Sequence, residues 1–189
     1  MLFENAINPA KLAQKTSTLD GILWHQDEND STPDFAYQFR EKFSLIVKTI
    51  RSELNVLNLP ILIGGLGDFL TDGMYGVYFS AYQIVNKALQ DFAQATPNCY
   101  FVTASGLTSN PDFIHIDAPT KRKFGIRYFE AFNRQEHILE RIDIENETLK
   151  LINNRMLSNT EKIGLLDLKF SSGALSLENY KIELTKLKQ

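Results

Sequence analysis

The chain has 189 residues, a net charge of −3 and 43% hydrophobic residues, which favours one folded domain with a real core and a short appendage. No basic stripe is present, so we do not expect nucleic acid as a partner. No apolar run reaches the ~18 residues of a membrane span, and residues 1–5 lack the basic start and apolar core of a signal peptide. We therefore expect a cytoplasmic protein without a membrane partner. The single cysteine, Cys99, excludes an internal disulfide framework and is expected to be buried.

The first third of the chain predicts a helix, a strand and a second helix. Apolar residues give residues 2–16 a helical side, although Pro9 weakens its middle. The short apolar run at 21–24 predicts a strand. A proline after Thr32 is a helix start signal, and the spacing of the apolar residues that follow predicts an amphipathic helix over 34–57.

Two further strand–helix pairs follow in the middle of the chain. Strands are predicted at 60–63 and 99–104, and helices at 76–95 and 118–132, the last capped by Asp117. Short apolar runs without polar alternation are typical of strands that are covered on both faces. We therefore predict an α/β fold with a parallel sheet. The loops after the strands would converge on one edge of that sheet, where ligands bind.

The secondary structure of residues 133–189 is less clear from the sequence. Residues 133–158 allow a helix or a hairpin, and their apolar spacing favours the helix. Beyond them, Gly173 stops one helix and Ser176 can cap another. We predict a domain at 1–132, a connector at 133–158 and a helical tail at 159–189.

An acid–histidine pair is the clearest candidate for chemistry. Asp112 precedes His115 by three residues on a loop that leaves a strand, so its carboxylate can accept from Nδ1 of the imidazole. Nε2 is then free to act as a general base. This pair is half of a hydrolase triad. Ser105 and Ser109 lie nearby in turn-rich sequence that lacks the strand-to-helix elbow of a nucleophile. His137 lies on a polar stretch with no partner in the sequence and is expected to be a surface histidine.

A second polar cluster follows the first predicted strand. Gln26 could direct its amide N–H at a developing oxyanion, and Glu28 could orient a histidine or hold the loop. The alternative is a solvated loop that caps the next helix. A metal site is not expected, because no compact ligand spacing supports one. Its ligands would be His25, Asp27, Glu28, His115 and Asp117.

The glycine-rich loop at 64–67 is a separate candidate. It lacks the ordered GxGxxG or the lysine that a phosphate cradle needs. We expect it instead to let the backbone turn tightly and approach the site.

Two blocks together resemble the SGNH-hydrolase superfamily, in its sialate O-acetylesterase and acetylxylan esterase branch. The sequence GILWHQDEND at 21–30 matches G-x-L-W-H-Q-G-E-x-D at all but one defined position. Residues 112–117 and 125–128 match D-x-x-H-x-D followed by G-x-R-Y. The resemblance covers about residues 2–132 and implies a flavodoxin-like, three-layer fold around a parallel sheet.

The resemblance also implies an activity. It makes His115 the general base, Asp112 its orienting acid and Gln26 an oxyanion-hole amide, with His25 and Glu28 beside it in the substrate-binding block. The implied reaction is hydrolysis of an acetylated carbohydrate, or another small ester, through a serine acyl-enzyme. No metal and no organic cofactor are implied.

The chain departs from the family pattern at two places. Asp27 replaces the motif glycine, and a carboxylate there would oppose the oxyanion unless it points away. The serine block that the family carries on an earlier strand is missing, since Ser17 alone precedes Gly21 and lies in no such context. We therefore expect an N-terminally truncated fold in which the strand at 21–24 is an apolar edge. A complementing N-terminal fragment or a second copy of the chain could cover that edge.

The tail at 159–189 resembles the short SHOCT-type C-terminal module, a helical hairpin thought to mediate association. Two functions therefore remain open. The first is a carbohydrate esterase of the acetylesterase type. The second is a catalytically inactive remnant that acts as an interaction module through its tail.

Overall fold

The computed structural model describes residues 2–25 and 28–188, in which each of three strands is followed by one or more helices. The elements are α1 (Leu2–Ala13), β1 (Ile22–Trp24), α2 (Pro33–Ala36), α3 (Phe39–Glu53), β2 (Ile61–Gly64), α4 (Tyr82–Ala95), β3 (Cys99–Val102), α5 (Ala118–Arg134), α6 (Glu145–Asn154), α7 (Asn159–Ser171) and α8 (Leu177–Leu187). The three strands form one parallel sheet in the order β1-β2-β3. The predicted α/β fold with a parallel sheet is confirmed.

The middle strand of the sheet is buried between helices, whereas β1 is only partly covered. All four residues of β2 are buried, and Leu62 and Ile63 expose no surface. Pro60 O accepts a hydrogen bond from Ile22 N at 2.9 Å, which begins the β1–β2 ladder. The apolar runs without polar alternation are therefore explained by burial on both sides. Cys99 is buried at the start of β3, as predicted.

The helix predicted at 34–57 is interrupted in the structure. Gln38 N donates to Phe35 O at 3.0 Å, a three-residue hydrogen bond that tightens the chain between α2 and α3. This turn buries both Ala36 and Phe39. The helix predicted at 76–95 begins only at Tyr82, because the residues before it form turns in which Tyr78 is exposed.

The open question at 133–158 is resolved in favour of a helix, α6, with an extended segment before it. Ile138 in that segment pairs with Val102 in a parallel bridge, donating its N–H to Phe101 O at 2.8 Å. His137 Nδ1 accepts a hydrogen bond from Phe101 N at 3.1 Å. His137, expected at the surface, is partly buried because this segment lies beside the β3 backbone.

The chain divides into two compact units, Met1–Thr148 and Leu149–Gln189. The second unit contains the α7–α8 hairpin, in which Phe170 stacks on Tyr180 with ring centroids 4.7 Å apart. The Tyr180 hydroxyl donates to Asp167 at 2.6 Å. Ser176 caps α8 as predicted, accepting from Asn179 N. No helix in the described part of the chain is long and apolar enough to cross a membrane.

A buried ion pair joins α5 to the start of α6. Arg127 exposes 1% of its surface and Glu145 exposes 6%. Their side chains meet twice, Nε to Oε1 at 2.6 Å and Nη2 to Oε2 at 3.3 Å. Burial alone would raise the pKa of the Glu145 carboxyl, but hydrogen bonds from Arg127 and from Ile142 N outweigh it, and the net pKa is lowered.

Replacing Arg127 by methionine should lower the free energy of unfolding by about 3–5 kcal/mol, because Glu145 would remain buried without its partner. Urea denaturation measures this change. Arg122→Met, an exposed arginine of the same helix, is the matched control and should change stability by less than about 0.5 kcal/mol. If Arg127→Met lowers the free energy of unfolding no more than Arg122→Met does, the stabilising role of the buried ion pair is contradicted.

Candidate active site

The side chain of Tyr128, in α5, contacts the carboxyl ends of both β1 and β2. Its hydroxyl donates to Trp24 O at 2.9 Å. A Cβ built on Gly64 would lie 1.9 Å from the hydroxyl oxygen of Tyr128, so only glycine fits at the end of β2. The glycine-rich loop thus permits a close approach of helix and strand.

The loop between β3 and α5 folds back on itself. Ser109 and Ile116 form an antiparallel bridge, and Asn110 N donates to His115 O at 2.8 Å. At the base of the loop, Asp117 N donates to Thr108 O at 3.0 Å. The segment that contains the acid–histidine pair is therefore a closed turn rather than a free loop.

Asp117 fastens this turn to α5. It is the N-cap of the helix, as predicted, and its Oδ1 accepts from Thr120 N at 2.8 Å. Its Oδ2 accepts from the Thr108 hydroxyl, which is the largest cause of the lowered pKa of Asp117. Both ends of the turn are therefore held by one carboxylate at the start of the helix.

Asp112 and His115 are in direct contact at the tip of the turn. Nδ1 of His115 lies 2.7 Å from Oδ2 of Asp112. The other carboxylate oxygen accepts from Ile114 N at 2.9 Å and His115 N at 3.0 Å. The His115 N–H, then the imidazole and the Ile114 N–H, lower the pKa of Asp112 to about 2. The spacing predicted this contact, while the catalytic roles of both residues stay a prediction.

Phe113 connects the two members of the pair in an unusual conformation. Its φ of 56° lies in the left-handed region, which a phenylalanine seldom adopts. A Cβ on Gly73 would lie 2.6 Å from the Phe113 Cβ, so the loop before α4 lies directly against this turn. The sequence contains no signal that would predict this contact.

The second polar cluster lies at the end of β1. The His25 ring contacts Phe124 edge-on, with centroids 5.3 Å apart. Although the residue is exposed overall, desolvation lowers the pKa of His25, and the nearby Glu28 only partly opposes this effect. Gln26 and Asp27 lie outside the described residues, so the oxyanion role of Gln26 and the direction of Asp27 stay predictions.

The two clusters adjoin the same end of α5. Asp117 caps the helix beside the acid–histidine turn, while Lys121 and Phe124 in its first two turns act on His25. Within residues 2–25 and 28–188, no hydroxyl group hydrogen-bonds to Nε2 of His115. Over the same residues, no group of three or more His, Cys, Asp or Glu residues is suited to hold a metal ion.

The sequence did not predict that Arg127 anchors the start of the turn between β3 and α5. Nη1 of Arg127 donates to Thr103 O at 2.8 Å and to Ser105 O at 2.9 Å, where the chain leaves β3. The G-x-R-Y match contained this arginine, but nothing in the sequence identified Glu145, 18 residues later, as its partner.

Fold and site together define an α/β protein with an acid–histidine pair at the carboxyl edge of a parallel sheet. A family model described as "carbohydrate esterase, sialic acid-specific acetylesterase" matches residues 1–134. The chain therefore belongs to this family of carbohydrate esterases. It is also similar in fold to a protein from Arabidopsis thaliana of known X-ray structure, with a TM-score of 0.61 and 20% identity. That match covers 70% of this chain and 52% of the other chain, so the chain spans about half of that protein.

The Asp112 carboxyl should titrate with a midpoint near pH 2, below its usual 3.8, when followed by 13C NMR. Because the folded pKa is depressed, the stabilisation from its ionised form is present above the ordinary pKa and lost as pH falls through the folded value. The contribution of the Asp112 carboxylate to the stability of the turn should therefore be constant above about pH 5. His115→Ala should raise the midpoint only partway, because the two backbone donors remain. A midpoint near 3.8 in the unmodified protein would contradict this geometry.

Proposed function

We propose that this chain supplies the acid–base half of an esterase that removes acetyl groups from carbohydrates. The observation that carries the proposal is the 2.7 Å contact between Asp112 and His115 Nδ1, on a turn fastened to the active edge of a parallel sheet. Membership of the carbohydrate esterase family supports acetylated sugars as the substrate class. The contact leaves Nε2 of His115 available for proton transfer.

In the proposed mechanism, His115 takes the proton of a serine hydroxyl as the serine oxygen attacks the acetyl carbonyl carbon. Asp112 orients the imidazole and stabilises its charged form, which its low pKa permits at neutral pH. The amide of Gln26 stabilises the oxyanion. As the tetrahedral intermediate collapses, the bond to the sugar oxygen breaks and His115 gives that oxygen the proton. Water then hydrolyses the acetyl-serine by the same steps, releasing acetate.

His25 and Glu28 have a supporting role in this proposal. The lowered pKa of His25 favours a neutral imidazole at neutral pH. Glu28 is the first residue of a short helical turn, Glu28–Ser31. Both residues would shape the sugar-binding side of the site.

A second candidate function is an interaction module without catalytic activity. Exposed apolar residues on the α7–α8 hairpin favour it, since Leu168 exposes 64% and Ile182 exposes 47% of its surface. Such residues could pair two copies of the chain through their tails. This module would need neither Asp112 nor His115.

Acetate release from O-acetylated monosaccharides tests the proposal. We expect the purified chain to hydrolyse them slowly, with water in place of the serine, because a positioned general base alone contributes about 10²-fold or more. His115→Ala and Asp112→Ala should each abolish this rate, while His137→Gln, the matched histidine control, should retain it.

Equal rates in all four proteins would remove the basis of the esterase proposal. Absence of hydrolysis, combined with dimers that the surface pair Leu168→Glu and Ile182→Glu dissociates in sedimentation, would favour the interaction module instead.

A further inference from the structure

The loop between β2 and α4, residues 65–81, exposes several apolar side chains. Four of them form a group that we call the loop patch: Met74, Tyr75, Val77 and Tyr78. Val77 exposes 83% and Tyr78 exposes 63% of its surface. The two tyrosine rings lie together, with centroids 6.5 Å apart and planes inclined by 46°. A contiguous group of exposed apolar residues often marks a surface that binds another molecule.

The loop that carries the patch is fixed in place by the protein core. Three of its apolar residues are buried there: Phe69, Leu70 and Phe79. Gly76 N donates to Gly73 O at 2.9 Å, and Tyr78 N donates to Tyr75 O at 2.9 Å. Each tyrosine therefore lies in a hydrogen-bonded turn above buried side chains. Because the backbone is already ordered, a ligand that binds the tyrosines would cost little conformational entropy.

This loop contacts the turn that contains the acid–histidine pair. A Cβ on Gly73 would lie 2.6 Å from the Cβ of Phe113, the residue that directly follows Asp112. Gly73 precedes Tyr75 by two residues, and Phe113 precedes His115 by two residues. Phe113 is itself partly exposed and adds apolar surface at the contact. The loop patch and the acid–histidine pair are therefore adjacent parts of one surface.

The aspartates of the two loops give this surface a negative charge. Residues 65–81 and 103–117 contain four carboxylates and no lysine or arginine: Asp68, Asp72, Asp112 and Asp117. The pKa of the Asp112 carboxyl is lowered to about 2, so this group is ionised at neutral pH. Arg141 packs on Gly106, at the β3 end of the second loop. A sugar that carries its own carboxylate would be repelled at the loop patch, whereas an uncharged sugar would not.

We propose that Tyr75 and Tyr78 form a binding platform for an uncharged sugar chain, whose acetylated unit lies at the acid–histidine pair. This inference rests on the function proposed above. The face of a tyrosine ring is negative and the C–H groups of a sugar are slightly positive, so a sugar unit packs flat on the ring. Successive units of a polysaccharide are rotated about the chain axis, so two inclined rings can each hold a different unit. The platform therefore favours chains over single sugars.

Isothermal titration calorimetry with unacetylated hexasaccharides of xylan and of glucomannan tests the platform without any chemical step. The unmodified chain should bind at least one of them more tightly than the corresponding monosaccharide. Tyr75→Ala and Tyr78→Ala should each weaken binding about threefold to tenfold, whereas Tyr75→Phe keeps the ring and should bind within about twofold. Phe129→Ala is the matched control, because Phe129 is exposed on α5 about three turns beyond Asp117, and it should bind like the unmodified chain.

A second arm tests the charge of the ligand. The same hexasaccharides carrying one glucuronic acid branch should bind about threefold more weakly at low salt, because their carboxylate meets the aspartates of the two loops. Asp72→Asn should reduce this difference. Tighter binding of the branched sugars would contradict the choice of an uncharged ligand.

Three results would overturn the platform. The first is that the unmodified chain binds none of the hexasaccharides. The second is that both alanine variants bind them as tightly as the unmodified chain does. The third is that the chain forms dimers which Tyr75→Ala and Tyr78→Ala dissociate in sedimentation, since the loop patch would then be a contact between two copies.

The experiments also separate this inference from the proposed function. His115→Ala should bind the hexasaccharides like the unmodified chain but release no acetate from their O-acetylated forms. Tyr78→Ala should raise KM for an O-acetylated hexasaccharide and leave kcat, and the rate with an O-acetylated monosaccharide, unchanged. Hexasaccharide binding without His115-dependent acetate release would disprove the catalytic role and the position of the acetylated unit, and leave the platform in place.

Discussion

The buried guanidinium of Arg127 is the constraint on which the rest of the site depends. A charge with 1% exposure is tolerated because Glu145 and two backbone carbonyls accept its hydrogen bonds. Those carbonyls belong to Thr103 and Ser105, where the chain leaves β3. The ion pair therefore joins the start of the turn that contains Asp112 and His115 to α5, and Glu145 lies at the start of α6. At the opposite end of the sheet, Arg51 binds the carbonyls of Leu59 and Asn98 before β2 and β3.

The acid–histidine geometry is built mainly from local interactions. Asp112 is oriented by the backbone N–H groups of its own turn, and Asp117 closes that turn against α5. The left-handed conformation of Phe113 costs about 1 kcal/mol or more, which the surrounding hydrogen bonds offset. The interactions that bring Asp112 and His115 together are thus contained in this chain, while the roles of acid and base belong to the proposed function.

Much of this architecture could be predicted from the sequence, and the failures have physical causes. Short apolar runs indicated all three strands, and burial on both faces explains the lack of alternation in β2 and β3, although Leu23 of β1 is exposed. The spacing of Asp112 and His115 indicated their contact. Helix boundaries were wrong where Tyr78 continued an apolar pattern through residues that form turns. Two contacts join residues that are distant in sequence: the bridge between Ile138 and Val102 and the ion pair between Arg127 and Glu145. An isoleucine or an arginine in the sequence does not show which distant residue it will contact.

The proposed role of His115 as a base requires that Asp112 accepts a hydrogen bond from Nδ1 and leaves Nε2 able to take a proton. Long-range 1H–15N NMR of the imidazole nitrogens at alkaline pH measures this tautomer directly. We expect a protonated Nδ1 and an unprotonated Nε2 in the unmodified chain, with a mixture of tautomers in Asp112→Ala. A proton on Nε2 of the unmodified chain would contradict the proposed role, because the histidine could not then act as the base.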